Sequence, residues 1–201
     1  IGSSAVASSS TSASGGTIVV GSYGSLTIGA DGSYSYAVNN ANASVQALDD
    51  GETLSDSFNY TVSDGTATGS TSLTITIFGS NDAPQASADT NWAQEDGSNA
   101  SGNVLTSATH SGAPSGSFAD VADTDADLET LTVTQIGSSA VSAGTTSSTG
   151  TIVAGSYGSL TIGADGSYSY AVNNANASVQ ALDDGETLSD SFNYTVSDGT
   201  A

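Results

Sequence analysis

This sequence predicts an all-β chain, built as tandem antiparallel β-sandwich domains, and three observations carry that expectation. Short apolar runs alternate with polar residues and are cut by turn signals about every ten residues. No stretch of helical period reaches ordinary helix length. The stretch Gly21 to Ala67 also returns unchanged at Gly155 to Ala201, an offset of 134 residues. A period that long is a whole domain able to bury its own core, unlike the short unit of a solenoid.

The elements follow in order. Ile1 to Val6 reads as the end of a strand, and a Ser-rich loop runs on to Gly16. Thr17 to Gly21 and Gly24 to Ile28 are β-branched or alternating. Asp31-Gly32 supplies a hairpin turn, because both residues tolerate positive φ, and Ser33 to Val38 returns with Tyr34, Tyr36 and Val38 on one face. Val45 to Leu48 suits one helical turn before Asp49-Asp50-Gly51 breaks it. Leu54 to Val62 alternates through Leu54, Phe58, Tyr60 and Val62, and Asp64-Gly65 turns the chain. Ser72 to Phe78 then gives the strongest period-two signal, with Leu73, Ile75 and Ile77 inward.

Gly79 to Pro84 marks a domain boundary. Residues 1–80 read as the back part of one domain, and 81–201 as a second, nearly complete domain without an equivalent of Thr68 to Phe78. An unpaired strand edge of that kind invites another strand. Because Ile1 to Val6 matches Ile136 to Val141, the chain opens in mid-repeat, and we expect it to be an excerpt of a longer protein.

Composition narrows function. The 201 residues hold no Lys or Arg and one His against 21 Asp and Glu, a formal charge of −21. Nucleic acid needs a basic footprint, and anionic lipid repels such a surface, so neither is an expected partner. No apolar run is long enough for a membrane helix, so direct membrane insertion is not expected. Without Cys there is no disulfide framework. Catalysis is not expected either: His110, the one imidazole, stands in a Ser/Gly-rich loop, and no Lys or Arg is available to hold a phosphate. Tyr34, Tyr36 and Tyr60 are read as packing on half-buried strands rather than as a sugar-binding face.

The acids of Asp120 to Glu129 are the candidate chemistry. Asp123, Asp125, Asp127 and Glu129 alternate, so in an extended strand they point to one side, where like charges repel by about 1 kcal/mol per pair at 4 Å even in water. A hard divalent cation offsets that repulsion, and Ca²⁺ suits flexible carboxylate shells better than Mg²⁺. The competing reading is a solvated acidic loop. The pattern is not an EF-hand, since Leu128 stands where that loop needs Gly.

Three segments together, GSYGSLTIGADGSYSYAVNN, VQALDDGETLSDSFNYTVSDGTAT and SLTITIFGSNDAP, resemble the VCBS repeat, a cadherin-like domain found in tandem in large secreted bacterial adhesins with RTX-type export signals. The resemblance implies immunoglobulin-like sandwiches at the cell surface, acting as extender or adhesive modules in attachment and biofilm. Partners would be neighbouring repeats, further copies of the protein, and a surface or glycan ligand. The resemblance also implies Ca²⁺ at domain junctions, held by an early acid (Glu95-Asp96), an acidic pair (Asp123 and Asp125) and linker residues (Asn81-Asp82). Asn81-Asp82-Ala83-Pro84 is one residue shorter than the cadherin linker, and a plain turn before proline is its other reading. A second functional class remains open: a self-assembling filament or layer in which a neighbour supplies the absent strand.

Overall fold

The computed structural model describes residues 1–2 and 4–200. The chain divides into two compact units, Ile1–Asn81 and Asp82–Ala201.

In the first unit, β1 (Thr17–Val20), β2 (Gly24–Ile28) and β3 (Tyr34–Val38) form an antiparallel sheet in that order. The short helix α1 (Ala43–Gln46) follows, capped by the Asn42 side chain, which accepts from the Ser44 N–H. It leads into the hairpin of β4 (Thr53–Ser63) and β5 (Thr68–Phe78), which pair over 11 residues from Thr53 opposite Phe78 to Ser63 opposite Thr68. Leu26 and Ile28 of one sheet meet Phe58 of the other, with Leu73 and Ile75 beside them, so the two sheets close a small core. Ile1 to Val6 forms no strand among the described residues, yet Gly2 N–H donates to Asn59 O at 2.8 Å along β4.

The second unit has the short strands β6 (Ala100–Asn103), β7 (Ala108–His110), β8 (Phe118–Asp120), β9 (Thr132–Ile136) and β10 (Ser139–Ala140). They are followed by β11 (Thr151–Ala154), β12 (Gly158–Ile162), β13 (Ser167–Val172), the helix α2 (Ala177–Gln180) and β14 (Tyr194–Ser197). One sheet runs β11-β12-β13-β6 and the other β10-β9-β14, while β7 and β8 form a separate ribbon. Val133 and Ile136 of β9 pack against Leu160 and Ile162 of β12 and Tyr168 of β13, which makes the unit an antiparallel β-sandwich. His110 therefore ends a strand rather than lying in a loop.

The duplicated sequence reproduces one polar device in both units. Asp56 sits on the apolar face of β4 between Leu54 and Phe58, and its oxygens accept from Ser22 N–H (2.8 Å), Tyr23 N–H (3.1 Å) and Tyr36 OH (2.6 Å). Asp190 accepts from Ser156 N–H (2.7 Å), Tyr157 N–H (3.0 Å) and Tyr170 OH (2.6 Å). A Cβ on Gly21 or Gly155 would collide with the carboxylate, so only glycine allows this approach. Burial alone would raise both carboxyl pKa values, but the tyrosine hydroxyl and the backbone N–H groups outweigh it and hold both below the ordinary carboxylate range.

Environment differs where sequence does not. Tyr168 is 7% exposed because β6 pairs alongside β13, whereas the identical Tyr34 on β3, the edge of its sheet, is 52% exposed.

Asp56→Ala leaves Tyr36 OH and two backbone N–H groups without their acceptor, and we expect a loss of roughly 2 to 4 kcal/mol in urea unfolding at pH 7. Because the folded pKa is depressed, the Asp56 contribution is fully present above the unfolded value of about 3.9 and is lost as pH falls through the folded one. The gap between wild type and variant therefore narrows on acidification.

Candidate metal centre

The acidic segment that starts at the end of β8 separates into two groups, one turned into the core and one gathered in a loop. Asp120 belongs to the first. Its fully buried carboxylate accepts from Tyr168 OH at 2.8 Å and Asn103 N–H at 2.9 Å, and His110 Nε2 approaches to 3.0 Å, forming an ion pair when protonated. Asp123 is also buried, accepting from Ser87 N–H at 2.7 Å, with Tyr194 OH 3.2 Å from each of its oxygens. Tyr194 OH also lies 3.0 Å from Asp89 Oδ2. Burial and the nearby Asp89 and Asp123 charges push the Tyr194 phenol well above its usual pKa.

Asp125, Asp127 and Glu129 form the second group, each offering an oxygen within 4.8 Å of the others. They do not lie on an extended strand, as their alternation suggested. Residues 121–131 form no strand and are anchored by the bridge between Thr124 and Gln85, with N–H to O distances of 2.7 and 3.1 Å. Asp125 Oδ1 accepts from Asp127 N–H at 2.9 Å, a tight Asx turn, and Asp127 Oδ2 accepts from Asp82 N–H at 2.6 Å. Leu128 then takes φ +65°, a left-handed conformation that costs a bulky residue roughly 1 to 2 kcal/mol. The loop thus bends at Leu128 in the way that glycine was expected to be needed for. The bend, rather than strand alternation, gathers the three carboxylates.

Asp125 Oδ2 and Asp127 Oδ1 are withdrawn from water and accept no hydrogen bond. Unpartnered anionic oxygens beside a third carboxylate are costly unless a cation completes them. The donors are all hard oxygens, the set that suits Ca²⁺ or Mg²⁺ and not a soft metal. These three residues can hold a metal ion.

Of the other sequence-predicted residues, Asp82 is joined to this group through its N–H to Asp127. Glu95 and Asp96 occupy a turn closed by Gly97 N–H to Gln94 O at 3.1 Å, and Asp96 N–H donates to Asn174 Oδ1 at 3.3 Å. They are not part of the three-carboxylate group. Glu95 Oε2 is nevertheless buried without a hydrogen-bond partner. Asn81 closes the first unit, where its N–H donates to Asp50 Oδ1 at 3.3 Å, and Asp82 begins the second.

Sequence reasoning passed over Asp89. Its Oδ1 accepts from Val121 N–H at 2.8 Å, and its pKa is raised, chiefly by burial and further by the Asp120 and Asp123 charges, against the lowering effect of its hydrogen bonds. No period or motif marks it. Asp56 and Asp190 do carry a sequence signal, an acid at an inward position of an apolar alternation.

The family model of the bacterial cadherin-like domain matches residues 2–79 and again 81–201, and the chain belongs to that family. Such domains are β-sandwiches, typically structural rather than catalytic and generally extracellular. No curated protein and no solved structure matches the chain. No helix among the described residues is long and apolar enough to cross a membrane.

Two substitutions test this geometry. Asp89→Asn removes a carboxylate whose pKa is raised in the fold, so its cost is present above the folded value and vanishes below the unfolded one. Thermal unfolding should show a midpoint a few degrees higher at pH 7, with the gain disappearing below about pH 4. Leu128→Gly loses little buried surface, since Leu128 is 81% exposed, and releases the left-handed strain. After the entropy cost of glycine, a gain of up to about 1 kcal/mol is expected in the metal-free protein.

Proposed function

We propose that the chain is a pair of extracellular, non-enzymatic modules from a large surface adhesin, stiffened by Ca²⁺ and used in cell attachment or biofilm. The observation that carries the Ca²⁺ reading is the convergence of Asp125, Asp127 and Glu129 in a strained loop with two buried, unpartnered oxygens, in a chain of the cadherin-like family. The VCBS type of repeat is the subgroup we assign. On that frame the boundary between two successive repeats falls between residues 80 and 81.

Ca²⁺ would take Asp125, Asp127 and Glu129 as its first ligands. Asp82, the first residue of the second unit, is already tied to the loop through Asp127. An ion that fixes Asp127 therefore also fixes the backbone where the chain enters the repeat, and linker freedom falls. Extracellular sites of this kind bind with Kd of about 10⁻⁴ to 10⁻³ M. At ten to a hundred times Kd, each ion adds about 1 to 3 kcal/mol to the stability of its domain.

Thermal unfolding of the chain in Ca²⁺ up to about ten millimolar, against chelator with NaCl matching the ionic strength, should show a Ca²⁺-specific rise in midpoint. Asp125→Asn with Asp127→Asn should abolish it. An equal rise with NaCl alone defeats the reading. X-ray scattering should give a larger maximum dimension in Ca²⁺ than in chelator, and equal dimensions would remove the stiffening mechanism.

A further inference from the structure

Seven Asp-Gly dipeptides punctuate the turns, at Asp31, Asp50, Asp64, Asp96, Asp165, Asp184 and Asp198. In this dipeptide a backbone nitrogen can attack the preceding side-chain carboxyl with little hindrance, because glycine sets no Cβ against the approach. The dipeptide is the same in all seven, so what separates them is the fold around each.

In five of them the glycine nitrogen is engaged. Gly32 and Gly166 N–H donate to Gly29 O and Gly163 O, and Gly97 N–H donates to Gln94 O, each at 3.1 Å. Gly65 N–H donates to Ser63 Oγ at 3.1 Å and Gly199 N–H to Ser197 Oγ at 3.0 Å. Several of these turns occupy the carboxylate as well. Asp31 Oδ1 accepts from the Ser33 N–H and hydroxyl, Asp165 Oδ1 does the same with Ser167, and Asp64 Oδ1 accepts from Thr66 and Ala67 N–H. The Ser33 hydroxyl above all, and the Ala67 N–H, hold the Asp31 and Asp64 carboxyls below their ordinary range, which depletes the neutral acid from which water can leave.

Gly51 and Gly185 are the exceptions. Both stand in exposed turns at φ +90° and +89°, and neither N–H makes a hydrogen bond among the described residues. The turn is held by its ends instead, with Glu52 N–H to Asp49 O and Glu186 N–H to Asp183 O both at 3.0 Å. Asp50 Oδ1 accepts only a long bond, from Asn81 N–H at 3.3 Å.

We propose that Asp50-Gly51 and its copy Asp184-Gly185 are sites of spontaneous isoaspartate formation. The Gly51 nitrogen bonds to Asp50 Cγ as a Cγ–O bond breaks, and the carboxyl OH leaves with the N–H proton as water. Water then adds to the cyclic imide. Opening at Cγ restores aspartate, whereas opening at the main-chain carbonyl leaves the chain running through Cβ and Cγ. The water lost is regained, so no oxidant or co-reactant is needed. The isoaspartyl chain is longer by one carbon and carries its carboxylate on Cα, so Asn81 N–H loses its Asp50 Oδ1 acceptor. The backbone at the end of the first unit thereby loses one of its ties.

The test ages the full chain in chelator at neutral pH, beside a sample unfolded in urea, and reads isoaspartate by electron-transfer fragmentation of chymotryptic peptides. The copied block gives some peptides twice, so Asp50 is read with Asp184 and Asp31 with Asp165, while Asp64 is read alone. In the folded chain isoaspartate at Asp50 and Asp184 should build up about tenfold faster than at the other three, the difference made by freeing about one engaged hydrogen bond before attack. In urea the rates should converge. Asp50→Glu with Asp184→Glu, both at exposed positions, should remove the fast phase, because the longer side chain must close a larger ring. Similar rates at all these sites in the folded chain overturn the proposal, as does a fast phase that survives in the variant. A bias that persists in urea also overturns it, by assigning the rates to neighbouring residues rather than to the fold.

Discussion

Buried carboxylates without any Lys or Arg to meet them are the constraint on which this structure depends. A carboxylate withdrawn from water needs charge or several hydrogen-bond donors. Here Asp56, Asp190 and Asp120 each take a tyrosine hydroxyl and at least one backbone N–H, and Asp123 takes a backbone N–H beside the hydroxyl of Tyr194. Tyr36 on β3 reaches across to Asp56 on β4, so that pair also clamps the two sheets of the first unit. The glycines at 21, 155 and 102 are the steric consequence, since a Cβ there would strike the carboxylate.

The same constraint distinguishes Asp125, Asp127 and Glu129 from the rest. No tyrosine reaches Asp125 Oδ2 or Asp127 Oδ1, and the loop that gathers these acids carries left-handed strain at an exposed leucine. In a chain that satisfies its core acids so consistently, two unpartnered oxygens point to an external cation. The local order sets the geometry: an Asx turn at Asp125, then the bend at Leu128.

Period-two alternation made the β1-β2-β3 sheet and the β4-β5 hairpin legible, because half-buried strands must alternate. The same rule misled for Asp123 to Glu129, where alternation of charge implies no buried face and therefore no strand. Asp56 was legible in principle as an acid between Leu54 and Phe58. Asp89 was not, because its partners Val121 and Tyr194 are brought to it only by the fold. Tyr34 and Tyr168 mark the limit, since neighbours outside the copied block decide which of two identical residues is buried.

The hairpin tip at residues 64–67 has a further consequence. It is exposed and joined by a turn in which Asp64 accepts from Thr66 and Ala67 N–H, the kind of protruding turn that proteases nick first. Proteases of the trypsin type hold a basic side chain against an aspartate in the specificity pocket. Neither this tip nor any other stretch offers one. Secreted among such enzymes, the chain would present exposed turns with no residue for them to grip.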